Sequence, residues 1–226
     1  MTGVKRAAAL ALGWAALAAP LRAQELADFD YENLAFRGFG VEVGRLWANK
    51  VESMPTYGVR MDLGYLGPAL RITPSLTYWS SRMKGSEVAS LEDRMESLVA
   101  REQPAGAPYP SVTLGPIDWS DIVVALDAHA VWRTPYDVLT FAGAGAAVHF
   151  LNGDGASING TFVEDLLDSV GAGFDLHAGL EYALHPKVRL YGMGRLEVLQ
   201  DIHYAAVRGG VQILLGPAAP GEENPR

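Results

Sequence analysis

From Val170 to Tyr182 the chain alternates without a slip for thirteen residues. Val170, Ala172, Phe174, Leu176, Ala178, Leu180 and Tyr182 fall on one side, and Gly171, Gly173, Asp175, His177, Gly179 and Glu181 on the other. A period of two means a strand, with an apolar face set against a face of glycine and charge. So long a strand exceeds the five or six residues usual in soluble sheets and meets the roughly 9–11 needed to cross a bilayer at a tilt.

The pattern recurs and predicts eight strands, over 36–48, 56–65, 69–79, 119–133, 138–151, 169–183, 187–199 and 203–215. Gly67-Pro68, Thr134-Pro135-Tyr136-Asp137 and His185-Pro186 place tight turns after the second, fourth and sixth strands. The connections after the first, third and fifth are longer. Short turns at one rim and long loops at the other predict an all-β fold, an eight-stranded antiparallel up-and-down transmembrane β-barrel. One segment differs: between Ser86 and Gln103, residues Val88, Leu91, Met95 and Leu98 recur at helical spacing, ahead of Pro104. It predicts an amphipathic helix in the second outer loop, either a lid on the barrel mouth or a surface for a protein partner.

Composition narrows the classes. The 226 residues include no Cys, which excludes disulfides, thiolate metal sites, a cysteine nucleophile and a lipid-modified N-terminal cysteine. Lys5 and Arg6, the apolar run Ala7 to Ala19, and Pro20-Leu21-Arg22-Ala23 read as a signal peptide over 1–23. A periplasmic segment is expected at 24–35, the barrel at 36–216 and a periplasmic tail at 217–226. Removing the leader leaves 15 basic against 26 acidic residues, a charge of −11 that argues against nucleic acid as a partner. The 25 glycines exceed the ~7% average without any repeat or linker to hold them. Those at 38, 40, 44, 58, 64, 171, 173, 179 and 210 fall on the inward faces, where small residues leave a narrow bore room for large charged ones.

Aromatic residues gather at strand ends. Trp47, Tyr57, Tyr65, Tyr78, Trp79, Trp119, Trp132, Tyr136, Tyr182 and Tyr204 are expected to form two girdles at the lipid interfaces. Lengths, loop asymmetry and girdles together resemble the small eight-stranded outer-membrane barrels of the OmpA and OmpX type. The resemblance is architectural and spans the whole mature chain. It implies residence in the bacterial outer membrane with lipid as the surrounding partner, and a monomer. Such barrels usually end on an aromatic residue, whereas this last strand ends at Leu215-Gly216 and runs into Pro217 to Arg226.

Inward positions carry an expected charge network: Glu42, Arg60, Asp62, Arg71, Asp127, His129, Asp175, His177, Glu181, Arg189, Arg195, Glu197 and Arg208, with His149 among them. Charges in a low-dielectric wall must be paired, so near balance predicts a salt-bridged plug. Two Asp-x-His steps, Asp127-Ala128-His129 and Asp175-Leu176-His177, could each orient a general base. Interior packing accounts for them better, and Ser75 lacks a His-x-Ser element for a rim hydrolase. Asn152 to Ser157 fails as a calcium loop, because Ala156 and Ser157 stand where a ligand and Gly belong. No catalytic, cofactor-binding or metal residues are expected. The reading is a non-enzymatic barrel with a structural, envelope or surface-interaction role. Its alternatives are a membrane-embedded hydrolase using the Asp-His pairs and a soluble lipocalin-like barrel with its apolar face inward.

Overall fold

The computed structural model describes residues 34–67, 69–104, 106–134, 138–200 and 202–216. The expected leader, tail and Tyr136 lie outside the described residues. Eight antiparallel strands close into a barrel in simple sequence order. They are β1 (Leu34–Ala48), β2 (Met54–Leu66), β3 (Leu70–Arg82), β4 (Asp118–Arg133), β5 (Val138–Asp154), β6 (Ser169–His185), β7 (Val188–Leu199) and β8 (His203–Leu214). Pairing of β1 with β8, from Gly38 with Leu214 to Ala48 with Tyr204, removes both free edges. Strand β1 begins at Leu34, two residues before the expected barrel boundary at 36.

Alternation decides what each face carries. Outward residues are apolar and open, Val43 at 61%, Phe174 at 70% and Val198 at 61% exposure among them, while the inward charges are buried. This is the reverse of a soluble ligand-binding barrel, so the lipocalin-like alternative falls. No helix among the described residues is long and apolar enough to cross a membrane. The surface suited to hydrocarbon belongs to the strands.

Helix α1 (Gly85–Glu102) lies in the second outer loop where its periodicity predicts it. Val88 and Leu91 join Leu46, Trp79, Trp119 and Ile202 in an apolar cluster across the outer mouth, with Met95 packed against it, so the helix's inner face serves as a lid. The lid is strapped down. Glu92 and Glu96 accept hydrogen bonds from the backbone N–H groups of Leu114 and Val112 at 2.8 and 2.9 Å, and Lys84 Nζ donates to the carbonyls of Ala48 and Asn49, both at 2.8 Å. A second helix, α2 (Phe162–Leu167), lies in the third outer loop, where the sequence pattern predicts none. Six residues are too few for a periodic signal. Its marker was Thr161, whose hydroxyl caps the N–H of Val163.

Four girdle assignments that rest on position along a strand give way to the side the residue faces. Trp79 is in step with Arg71, Thr73, Ser75 and Thr77, Trp119 with Asp121 and Asp127, and Tyr204 with Arg208 and Gln212. All three aromatics are buried inside the mouth, where they belong to the cap. Tyr65 turns inward for another reason. The β2–β3 register shifts between Arg60 and Tyr65, at a bulge where Gly64 adopts φ +82° and donates its N–H to Asp62 at 2.9 Å. One extra residue reverses the faces beyond it. Trp47, Tyr57, Tyr78 and Tyr182 remain exposed on the outward face, and Trp132 is half-buried.

The glycines divide in the same way. A Cβ at Gly58 would come within 2.9 Å of Glu42 Oε1, and at Gly210 within 2.6 Å of the Tyr191 ring, whereas at Gly171 it would meet only Leu199 at 3.9 Å. Inward position alone does not require glycine. Gly64→Val should therefore cost about 1–3 kcal/mol through its left-handed backbone, while Gly171→Ala should stay within about 0.5 kcal/mol. Urea midpoints of the two variants in detergent micelles measure the difference.

Candidate functional site: the charged bore and its cap

Asp127, Gly145, Asp175 and Glu197 occupy one inward row across β4 to β7, each paired in register with the next. Three carboxylates in a row repel in a dry interior, so a cation must stand over them. Arg195 does so from the neighbouring row. Its Nη1 reaches Asp127 at 2.9 Å, Nη2 reaches Asp175 at 2.8 Å and Nε reaches Glu197 at 3.0 Å. Gly145 makes this possible: a Cβ there would strike the carboxylates of both Asp127 and Asp175. The small-residue stretch of β5, from Gly143 to Ala147, is the space these groups use.

A second hub has the opposite sign. Glu181 accepts from Arg60 at 2.7 Å and from Arg71 at 2.6 and 2.9 Å, with Arg189 at 3.6 Å. The guanidinium of Arg60 also lies 3.3 Å from the centroid of the Tyr191 ring. Gln212 joins Arg60 to Asp62, donating to the latter at 3.0 Å. On the facing wall Glu42 takes Arg208 at 3.0 Å and the Tyr191 hydroxyl at 3.0 Å, while Arg208 also reaches Thr77. His149 lies between Asp121 at 2.7 Å and Glu197 at 2.8 Å, directly below the cap residue Tyr204, whose hydroxyl donates to Glu197 at 2.6 Å.

Each of the thirteen network residues read from the sequence is buried in the bore; every strand except β5 supplies at least one of them, and β5 contributes the buried His149. Many ties join strands that are not neighbours: β2 to β6, β3 to β6, β4 to β7, β1 to β7 and β3 to β8. Sequence reasoning left Asp121, Gln212 and Tyr204 out of the network. All three share the inward phase of residues it included, and that phase was the signal for them.

The Asp-His steps separate in three dimensions. His177 Nδ1 meets Asp175 at 2.5 Å, but His129 Nδ1 faces Arg71 Nη2 at 3.3 Å rather than Asp127. His129 stacks on Phe141 with ring centroids 4.8 Å apart and meets His177 edge-on at 4.6 Å. Both rings are buried in the bore. Ser75, considered for a rim site, is buried partway along β3. Asp127, His129 and His177 do hold donor atoms within 4.8 Å of one another. Arg195 already occupies both oxygens of Asp127, at 3.2 and 2.9 Å. With Arg71 on His129, two guanidinium charges border the trio, a setting that opposes a metal ion.

The chain is thus a closed antiparallel eight-stranded barrel with an apolar exterior, a charged filled bore and an apolar cap at the long-loop rim. Among solved structures it is similar to neisserial surface protein A, with 17% identity, a TM-score of 0.51, and coverage of 81% of this chain and 100% of that one. It also matches Ail of Yersinia pestis, determined in complex with the heparin analogue sucrose octasulfate, at 11% identity and TM-score 0.48, covering 79% and 97% of the two chains. The N-terminal β-barrel domain of Pseudomonas aeruginosa OprF matches at 12% identity and TM-score 0.47, over 79% and 97%. No protein-family model and no characterised protein matches at the level of sequence. The likeness to neisserial surface protein A is one of fold, that of a small eight-stranded outer-membrane barrel.

Arg195→Leu should destabilise the barrel by about 3–5 kcal/mol, because three buried carboxylates lose their shared cation. Neutralising them together, as D127N, D175N and E197Q in the same chain, should restore much of that loss. Urea unfolding in micelles gives both numbers, and a loss below about 1 kcal/mol for Arg195→Leu would count against the network. Gly173→Leu should fail in a different way, since its Cβ alone would stand 2.6 Å from His149 Nε2, which Asp121 and Glu197 hold in place. Its expected signature is loss of the compact, heat-modifiable gel band.

Proposed function

We propose that the protein is a non-enzymatic barrel of the bacterial outer membrane, closed to conduction, with a structural or surface-interaction role in the cell envelope. The observation that carries this reading is the pairing of an apolar exterior with a bore filled twice over. Salt bridges tie the walls together along the bore, and above them the apolar cap covers the outer mouth. An eight-stranded bore filled by its own side chains supports a barrel that conducts nothing.

The absence of enzymatic activity rests on the same burial. A general base must come within hydrogen-bond reach of substrate, and His129 and His177 lie beneath the cap and among guanidinium groups. Role by surface rather than by passage then falls to the outer loops, as one monomer surrounded by lipid. Surface interaction fits the uneven investment in the two rims: segments 83–117 and 155–168 stand at the outer rim, against turns of a few residues at the other.

The mature protein should partition into detergent, shift its gel mobility on boiling, and give no stable conductance steps in planar bilayers. A detergent-free soluble monomer would sink the membrane assignment. Discrete single-channel steps from the folded protein would sink the closed bore while leaving the membrane assignment in place. Hydrolysis of lipid or peptide lost on His177→Ala would overturn the non-enzymatic assignment.

A further inference from the structure

Helix α1 is not packed flush against the rim along its whole length. Between Glu87 and Leu98 it borders a partly open cavity of about 420 Å³. One wall is the helix face formed by Leu91, Arg94, Met95 and Leu98, spaced to share one side. The other wall is Leu151 of β5, Leu166 of α2 and Val170 of β6. Leu98 and Leu166 are half exposed and Val170 is 69% exposed, so part of this apolar lining is accessible from outside. The volume falls within the range of small-molecule sites, and at roughly 30 Å³ per water-sized group it holds on the order of a dozen methylenes.

The polar groups at this cavity are unevenly signed. Lys50 and Arg94 line it together with one acid, Glu87. Neither Lys50 nor Arg94 has an ion-pair partner for its side chain among the described residues. The acids of the same helix that could have neutralised them, Glu92 and Glu96, are turned away to hold the 112–114 strap. A local excess of positive charge in a chain of net charge −8 favours an anionic group at the mouth of an apolar slot.

We propose that this cavity binds a single-chain anionic amphiphile, a long-chain fatty acid, with its tail between α1 and the β5–β6 rim and its carboxylate on Lys50 and Arg94. Val170 belongs to the outward, apolar face of β6, so the slot reaches the side of the rim from which a tail can slide in. The ligand sits above the capped bore and passes nothing through it. The site therefore stands or falls separately from the closure of the bore.

The mature protein in phosphatidylcholine nanodiscs is irradiated with a diazirine-bearing fatty acid, and labelled peptides are mapped by mass spectrometry. Labelling should saturate and concentrate on the peptides holding Met95, Leu98 and Val170. Dodecanoate should displace it while dodecyltrimethylammonium should not. The double variant K50E/R94E changes only half-buried or exposed side chains, and its fold is checked by gel mobility. It should need about tenfold more dodecanoate, equivalent to two rim ion pairs. Leu98→Trp, which fills the slot without touching the cations, should remove the saturable labelling. Non-saturating label spread over the outward faces of all strands would overturn the proposal, as would equal displacement by the cationic amphiphile.

Discussion

Three carboxylates in one inward row, Asp127, Asp175 and Glu197, share the guanidinium of Arg195. Around that contact the rest of the bore becomes intelligible. A closed sheet of eight strands leaves an interior that side chains must fill, and a charge placed there has no bulk water to fall back on. Each acid therefore has to find a partner inside the bore, and Arg195 serves three acids at once. Glu181 with its three arginines is the complementary solution on the side of the short turns. The result is a set of ties between non-adjacent strands, which the backbone ladder alone cannot supply.

The glycines follow from the same constraint. Gly145 and Gly173 stand where carboxylates or an imidazole cross the bore, and Gly210 lies under Tyr191. Gly171 and Gly194 have free space and belong to no such crossing. An excess of glycine in a barrel of this size is thus a mixture, and only contacts across the lumen separate its parts.

Closure at the outer rim uses a different interaction. Charges give way to Trp79, Trp119, Ile117 and Ile158, all buried, and the loops fold inward over them. His149 and Tyr204 mark the boundary, since both join Glu197 below while the Tyr204 ring belongs to the cap above. A polar network beneath an apolar seal is self-consistent: the seal keeps water out, and a dry interior strengthens each ion pair. The outer loops are then free to carry specificity, which is where the slot between α1 and the rim lies.

The sequence by itself determined the eight strands, the alternation along each, the helix after β3 and which charged residues and histidines share an inward phase. All of these follow from periodicity, which needs no knowledge of what lies opposite. Only the tertiary structure decided the partners: that His129 faces Arg71 rather than Asp127, and that Arg195 serves three acids. It also decided which aromatics leave the lipid interface. Trp79, Trp119 and Tyr204 sit at strand ends, but side-chain phase sends them inward, and at Tyr65 a one-residue bulge at Gly64 reverses a phase that the sequence pattern carried straight through. Alternation is local and legible along one strand, whereas register, bulges and contacts across a lumen exist only once eight strands have closed.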